Sequence, residues 1–493
     1  MSKRTASLPR SALGSSAVTA ASTAVVTGLA AVVGVVIARQ FGRGPETDGF
    51  FAAYAVFIVL VLAASALRVA VLPRLARAQD EARLGGELAA YAVGLAIVTV
   101  PLLAGSILAS SWAAGLLIGN LPDAAQETAA EALRWMVPAA VAQLFAGLAA
   151  SALAALDDYH TAAIGFAAGS AAGLALILWR VEPDGIVAVA WGMAANGALA
   201  LSLPLVVLAR RGVLRASPAA LRLRGRLGEL GAGVALPLVL QGLYVVCVRF
   251  AGEQGTGAVT SLGYAYLIAA ALVAVTASSL SLVSSVPLAR RGLGGALVGE
   301  HVAAASWLAL TLVAGAAGVF ALAGETVVRG VLGPDYGGDA GTELGRLVVY
   351  LSPWMAVSVG VSVTFPLLFV AGRVRALPLL ALVALAVHVP LVWAGQALGG
   401  LGGNVGALAL TTALVFAGLL ALLSRTALSH AVTGLVLATA TTGGLAVLAF
   451  ALARWALAPI PAAAVGLAAY VFALVALRPP GLTRAWLYLR ALA

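Results

Sequence analysis

The sequence predicts an all-α integral membrane protein with about fourteen transmembrane helices. Of the 493 residues, 62% are hydrophobic and only 10% are charged, and the mean hydropathy is +1.05. Soluble domains carry about 25% charged residues, so most of this surface faces something less polar than water. Ten-residue stretches of alternating hydrophobicity, which a transmembrane barrel requires, do not occur. Helices that cross a bilayer are therefore favoured over a soluble domain or a barrel.

Fourteen segments have the length of a membrane span, since a bilayer core takes about 20 apolar residues per helix. The first six segments are 15–38, 49–72, 88–111, 129–155, 161–179 and 186–209. The next six are 231–250, 258–288, 302–323, 346–371, 376–397 and 403–423. The last two are 430–453 and 459–477. The first segment is too long for the apolar core of a cleavable signal, so we expect it to stay as a span.

A weak internal repeat divides the chain into two halves. Several residues recur 210 positions downstream, among them Arg39 as Arg249, Gly42 as Gly252, and Tyr54 as Tyr264. The repeat pairs the second span with the eighth, and this even separation gives both copies the same orientation. The predicted organisation is a six-span lobe over 1–209, a basic connector over 210–230, a second six-span lobe over 231–423, and two further spans with a tail over 424–493.

The basic residues predict how the chain is oriented. With a cytoplasmic N-terminus, 20 of the 29 Lys and Arg residues fall on the cytoplasmic side and 7 on the outer side. We therefore expect a multi-pass protein of the cell membrane with both termini in the cytoplasm. The net charge of +10 is spread over short loops, which argues against nucleic acid as a partner. The basic connector is expected to contact anionic lipid headgroups.

The sequence contains no catalytic or cofactor-binding pattern. Its four histidines are scattered, Cys247 is its single cysteine, and no GxxxxGK[ST] phosphate-binding loop is present. We therefore expect no enzyme, no metal or cofactor site, and no ATP hydrolysis by this chain. Two polar pairs are interpreted as local structure. Asp157 and Asp158 are expected to form a solvated turn that caps the next helix, and Arg134 is expected to pair with Glu131.

Six residues in or beside the spans are candidates for a substrate or gate role: Arg39, Asp48, Arg68, Gln143, Gln241 and Arg249. Arg68 either extends to the membrane interface or lines a wet cavity that grips an anionic headgroup. Arg39 and Arg249 either cap helix C-termini or pair with acids such as Asp48 and Glu253 in an outer gate. Gln143 and Gln241 either bond between helices or contact a sugar.

One segment resembles a known family. The stretch ARQFGRGPETDGFFAAY from Ala38, followed by LPRLARA up to Ala78, resembles the first-to-second-span signature of the MurJ/MviN-type lipid II flippases. Further on, LGPDY at 332–336 and LFVAGR at 368–373 resemble second-lobe features of polysaccharide exporters. Both groups belong to the multidrug, oligosaccharidyl-lipid and polysaccharide (MOP) exporter superfamily. The resemblance implies fourteen spans in two lobes and a lipid-linked glycan as substrate.

The chain departs from that family where lipid II would bind. The family carries arginines in span one and an acidic AEGA-type motif in span two, whereas this chain has Gly28, Gly34 and the sequence AASA at 63–66. The resemblance therefore implies a cavity with fewer cations. Two interpretations remain open at this point: a divergent homologue that moves another lipid-linked glycan, or a member that has lost transport.

Three functions are compared on this basis. The leading hypothesis is a flippase that moves a polyprenyl-diphosphate-linked saccharide to the outer leaflet by alternating access, as a monomer because two lobes complete a pathway. The alternative is an ion-coupled small-molecule exporter of the MATE type. Such exporters usually bind the ion at a carboxylate inside a span, and the acids of this chain lie at span ends and in loops. The third is a non-transporting scaffold that binds a partner through the connector.

Overall fold

The computed structural model describes residues 10–214, 223–291 and 295–492, and these fold into α-helices joined by short turns, without β-strands. The first half contains α1 (Arg10–Phe41), α2 (Pro45–Asp80), α3 (Leu84–Leu108), α4 (Ser110–Ile118), α5 (Asp123–Ala155), α6 (His160–Asp184) and α7 (Val187–Arg210). The second half contains α8 (Leu223–Ala251), α9 (Ala258–Arg291), α10 (Gly295–Leu332), α11 (Gly338–Tyr350), α12 (Ser352–Val370), α13 (Leu377–Leu423), α14 (Arg425–Ala456), α15 (Pro459–Leu477) and α16 (Pro480–Leu492).

The helices confirm the predicted all-α membrane fold. Twelve helices in the described residues are long and apolar enough to cross a membrane. One of them, α13, corresponds to two predicted spans, because its backbone leaves helical geometry at Gly399 (φ −147°, ψ 18°) and Gly400 (φ 56°, ψ −136°). The remaining predicted span is α9, which has a shorter apolar part over Ala258–Ala274. Each of the fourteen predicted spans thus coincides with a helix.

Three short helices in the described residues were not predicted: α16, in the predicted tail, and α4 and α11, which occupy matching places in the two halves. α4 lies between α3 and α5, and α11 lies between α10 and α12. The predicted span 346–371 therefore begins too early, because α11 ends at Tyr350 and α12 starts at Ser352. Pro353 follows at once, and proline is tolerated in the first turn of a helix, where its missing N–H has no partner to lose.

The chain divides into two compact units. The first comprises Met1–Phe41 and Pro45–Gly242, and the second comprises Gly42–Gly44 and Leu243–Ala493. The division falls inside α8, whereas the sequence places a connector over 210–230 between lobes at 1–209 and 231–423. Those lobe boundaries stay a prediction. The first turns of α8 belong to the first unit, where Leu230 joins the core formed with α2, α3 and α5.

The first unit is built around α5, the most buried of the spanning helices in the described residues. On α2, the side chains of Leu67, Val71 and Leu75 recur every four residues and form one apolar face towards this core. Small residues allow the helix backbones to come close together. A Cβ on Gly197 of α7 would lie only 2.6 Å from the carbonyl oxygen of Ala139 on α5.

The second unit is built around α10, which packs against α11, α12, α14, α15 and α16. Phe450 of α14 is buried between two glycines, Gly318 of α10 and Gly466 of α15. A Cβ at either glycine would overlap the Phe450 ring, so the absence of side chains there makes room for the aromatic group. The contact ties three helices together within this unit.

Candidate substrate cavity

A cavity of about 280 Å³ in the first unit brings two of the predicted site residues together. Arg68 of α2 and Gln143 of α5 both line it. Hydroxyl groups are contributed by Ser22, Thr27, Ser65 and Tyr159. Most of the other lining residues are alanines or larger apolar side chains. The cavity therefore combines one guanidinium group, a few neutral polar groups and an apolar wall.

Helical spacing explains how α2 and α5 present these residues. The α2 lining residues are Val61, Ala64, Ser65 and Arg68, and the α5 lining residues are Gln143, Gly147, Ala150 and Ala154. Successive α5 residues are three or four positions apart, and on α2 both Ala64 and Ser65 lie three or four positions from Val61 and from Arg68, which places each set on one face. A Cβ on Gly147 would stand 3.4 Å from the Cβ of Ala64 and 3.6 Å from the Cγ of Arg68. Gly147 thus gives the stem of Arg68 room beside α5.

Arg68 is exposed and makes no hydrogen bond or ion pair with any described residue. It lies twelve residues before the end of α2 at Asp80, which is about 18 Å at a rise of about 1.5 Å per residue. Among the described lining residues it is the one charged group. A cation in such surroundings attracts an anion more strongly than in bulk water, and its planar fork suits phosphate oxygens.

Gln143 is buried and makes the first of the two contacts that the sequence left as alternatives, a bond between helices, whereas contact with a sugar stays a prediction. Its Nε2 donates to Oδ1 of Asn196 on α7 at 3.4 Å, so it bonds between helices. It also lines the cavity beside Arg68. The α6 backbone approaches Asn196 closely at Gly169, where a Cβ would lie 2.7 Å from the Asn196 carbonyl oxygen. Ser22 is held in a similar way, because its hydroxyl donates to the carbonyl of Ala163 on α6 at 2.8 Å.

Arg39 and Arg249 lie elsewhere, in the last turns of α1 and α8. Each stands two residues before the end of its helix, where a cation is favoured by the helix dipole. Arg249 also forms the predicted pair with Glu253, with Nη1 and Oε1 2.9 Å apart. Gln396 donates to the other oxygen of Glu253 at 3.3 Å. The contacts of Arg249 are thus compatible with a cap at the helix C-terminus and with pairing to an acid in an outer gate. The gate role stays a prediction.

Asp48 and Gln241 also lie away from the cavity lining. Asp48 is fully buried in the first turn of α2, a position that suits a carboxylate. Gln241 is half-buried on α8. Of the six predicted site residues, the cavity therefore unites Arg68 and Gln143, and the substrate roles of all six stay predictions.

The structure joins two sequence motifs at the turn Gly42–Gly44, which belongs to the second unit. The Tyr336 hydroxyl of the LGPDY motif donates to the Gly42 carbonyl oxygen at 2.9 Å. Arg43 donates to the Gly257 carbonyl at 2.9 Å and pairs with Glu343 at 2.8 Å. Neither motif predicts this contact from the sequence, because the partners stand 214 to 300 positions apart.

A buried polar cluster around His388 was also missed. One ring nitrogen of His388 lies 2.9 Å from the Leu243 carbonyl oxygen, and the other lies 2.9 Å from the Thr411 hydroxyl. Asn404 donates to the Cys247 carbonyl at 2.8 Å. These contacts brace α8 against both halves of α13. Among the described residues no group of three or more His, Cys, Asp or Glu side chains has the arrangement of a metal site.

The two local predictions have opposite outcomes. Asp158 caps α6 as expected, since its Oδ1 accepts from the backbone N–H of Thr161 at 3.1 Å. The predicted pair of Arg134 with Glu131 is wrong. Arg134 donates instead to the Ser110 hydroxyl at 2.9 Å, because the unpredicted helix α4 brings Ser110 against α5.

Part of the predicted basic connector is folded into the protein. Arg226 is buried in the first turn of α8 and binds Glu87 through two hydrogen bonds of 2.6 and 2.8 Å. It also pairs with Glu229, which accepts from the Tyr91 hydroxyl and pairs with Arg74. Arg226 is thus engaged within the first unit. Residues 215–222 lie outside the described residues, so lipid contact by the connector stays a prediction.

Comparison with known proteins identifies the fold. No family model and no curated protein matches the sequence. The lipid II flippase MurJ in an inward closed conformation matches with a TM-score of 0.70 at 12% identity, over 93% of this chain and 98% of that one. An inward-facing multidrug resistance MATE family transporter of the MOP superfamily matches with a TM-score of 0.60 at 16% identity, over 84% and 94%.

A MATE transporter from Vibrio cholerae in its bent form also matches, with a TM-score of 0.51 at 15% identity, over 85% of this chain and 99% of that one. At these identities the similarity concerns the fold. The long apolar helices indicate a multi-pass membrane protein. In agreement with the sequence signature, this chain has the fold that the MurJ lipid II flippase shares with MATE transporters of the MOP superfamily.

Proposed function

We propose that the chain is a membrane transporter that moves a polyprenyl-diphosphate-linked saccharide between the leaflets of the cell membrane. The observation that carries this proposal is the guanidinium of Arg68 in the cavity of the first unit, which has no hydrogen-bond or ion-pair partner among the described residues. An unpaired arginine within an apolar helix is costly unless it serves an anionic ligand or reaches water. The phosphate groups of a lipid-linked glycan are such a ligand.

The other lining groups suit the rest of that headgroup. Gln143 and the hydroxyls of Ser22, Thr27 and Ser65 are neutral hydrogen-bonding groups of the kind that sugar hydroxyls require. Apart from Arg68 and the Tyr159 hydroxyl, the rest of the cavity wall is apolar. A headgroup held there would leave its polyprenyl tail in the bilayer, so the tail need never enter water.

Alternating access supplies the motion in this proposal, with one lobe rocking against the other. The protein would act as a monomer with both termini in the cytoplasm. A headgroup with negative charge moves outward down the electrical gradient of an energised membrane. Each charge that crosses about 100 mV gains roughly 2.3 kcal/mol. Membrane potential is therefore a sufficient driving force for an anionic glycan lipid.

The experiment is reconstitution in vesicles that carry a fluorescent polyprenyl-diphosphate-linked saccharide. A membrane-impermeant quencher added outside reports the fraction of headgroups in the outer leaflet. We expect that fraction to rise faster in vesicles with the protein than in empty ones, and faster still with an imposed potential. Equal rates with and without protein, over several lipid-linked glycans, would refute the proposal.

Ion-coupled export of a small molecule is the second candidate. It is supported by the MATE-like fold and by the fully buried carboxylate of Asp48. An ion-coupled exporter would respond to a proton or sodium gradient. The Asp48→Asn variant would abolish this response. The control variant Asp80→Asn, at the exposed end of α2, would keep it. Gradient-driven export of a small cation that depends on Asp48 would favour this function over the flippase.

A further inference from the structure

The second unit contains a groove of about 670 Å³ that shares no lining residue with the cavity of Arg68. It is formed by α10, α14 and α16, with the end of α15 beside them. Each of the three helices contributes one face. The α16 lining residues, for example, are Gly481, Arg484, Ala485 and Tyr488, with helical spacing of three and four.

The position of α16 fixes one side of the groove. Gly481 lies directly on the Trp307 ring of α10, where a Cβ would overlap the indole. Ala485 is buried in a core with Ala304 and Trp307. On the other face of α16, Trp486 and Leu487 are exposed. An amphipathic helix with exposed aromatic and apolar groups is typical of a segment that lies in the membrane interface.

The groove is deep enough for one lipid chain. Its lining on α14 runs from Thr433 to Leu445, near the start of the helix to well inside it. Twelve residues correspond to about 18 Å, slightly more than half of a hydrocarbon core about 30 Å thick. The groove therefore reaches through roughly one leaflet, and its inner part is apolar.

The lining of the groove carries one charge of each sign. Glu300 lies near the start of α10, and Arg484 lies on α16. Both side chains are exposed, and neither makes a hydrogen bond or ion pair with any described residue. Their charges sum to zero, so an anionic ligand gains from Arg484 but is opposed by Glu300. A zwitterion satisfies both groups.

We propose that this groove binds one phospholipid with a primary-ammonium zwitterionic headgroup, whose phosphate contacts Arg484 and whose ammonium contacts Glu300. One acyl chain lies between α14 and α16, over α10, because α10 and α14 themselves are in direct contact at Ala303 and Gly434. The Tyr488 ring and the α14 hydroxyls of Thr433 and Thr441 line the same groove. The site is independent of the transported substrate, since its residues belong to a different unit from the Arg68 cavity.

The experiment measures which lipid stays with the full-length protein. The protein is purified from bilayers that contain equal amounts of phosphatidylethanolamine, phosphatidylcholine and phosphatidylglycerol with identical acyl chains, and native mass spectrometry counts the retained lipids. We expect phosphatidylethanolamine to be retained about threefold to tenfold over phosphatidylcholine. This ratio is what one charge-assisted hydrogen bond from the ethanolamine ammonium to Glu300 provides, since choline has no N–H to donate. The bond is weakened because Glu300 is exposed to solvent. Equal retention of the three lipids, or preference for phosphatidylglycerol, would overturn the proposal.

Variants separate the two headgroup contacts. Glu300→Gln is expected to lower the ethanolamine-to-choline ratio about threefold or more, whereas Arg484→Gln lowers retention of all three lipids. Leu437→Trp, which fills the groove from its exposed wall, is expected to displace the lipid without loss of fold. Arg454→Gln, an exposed arginine at the other end of α14, is the matched control. An unchanged ratio in Glu300→Gln, or undiminished binding in Leu437→Trp, would contradict the assigned site.

Discussion

The buried hydroxyl of Tyr336 donates to the Gly42 carbonyl oxygen at 2.9 Å and so joins the two motifs that carry the family resemblance. Tyr336→Phe removes this bond and leaves a buried carbonyl without its partner. We expect a loss of about 1–3 kcal/mol in the free energy of unfolding. Thermal unfolding in detergent measures it. Tyr350→Phe, at an exposed tyrosine, is the control, and an equal midpoint for both variants would contradict the contact.

The two glycines of the same turn are expected to respond differently to alanine. Gly42 has φ +60°, and its Cβ would overlap the carboxylate of Asp335. Gly44 has open space around its Cα. We expect Gly42→Ala to destabilise the protein by more than about 1 kcal/mol, whereas Gly44→Ala has little effect. The comparison requires only the two unfolding midpoints, and a larger effect at Gly44 would show that the turn is described incorrectly.

Alanine is expected to affect the unfolding midpoint differently at Gly318, which lies beside Phe450, and at Gly443. Gly318→Ala introduces a Cβ that overlaps the Phe450 ring, so it should lower the unfolding midpoint. Gly443→Ala, on α14 with nothing within 4 Å of the new Cβ, should leave the midpoint unchanged or raise it, because alanine is the better helix former by about 1 kcal/mol. A midpoint that rises in Gly318→Ala would exclude the packing described for α10, α14 and α15.

The ion network at the start of α8 predicts a large effect of one arginine. Arg226 is buried and holds Glu87 and Glu229. Arg226→Met leaves both carboxylates without this partner, and because Glu87 and Glu229 are partly exposed we expect a loss of about 1–3 kcal/mol, less than for a fully buried pair. Arg210→Met, at an exposed arginine that ends α7, is the matched control. Similar stability of the two variants would mean that α8 does not depend on the network.

The sequence predicts the structural features that are determined by residues close together along the chain. The spans follow from segment length against bilayer thickness, and the Arg249–Glu253 pair and the Asp158 cap involve residues three or four apart. Helices α4 and α11, with 9 and 13 residues, were missed because they are too short to read as spans. Arg134 is predicted to pair with its sequence neighbour Glu131, whereas its actual partner Ser110 lies on the preceding helix, α4.

The candidate cavity was predictable only in part. Arg68 and Gln143 were both selected, since a polar side chain inside an apolar span is conspicuous in any sequence. The sequence does not predict that Arg68 and Gln143 line the same cavity, because it does not show which faces of α2 and α5 pack together. For the same reason the Tyr336–Gly42 contact, over 294 positions, could not be anticipated.

The most direct test of the central claim measures the initial rate at which a fluorescent polyprenyl-diphosphate-linked saccharide reaches the outer leaflet of vesicles. Three proteins are compared: the wild type, Arg68→Gln and Arg210→Gln. Arg210 is exposed and does not line the cavity, so its variant controls for the lost charge and for reconstitution. We expect the rate to fall about tenfold or more in Arg68→Gln, since a hydrogen-bonded charge pair with phosphate is worth about 1.5–3 kcal/mol. Arg210→Gln should match the wild type. Equal rates in all three would show that Arg68 does not hold the headgroup.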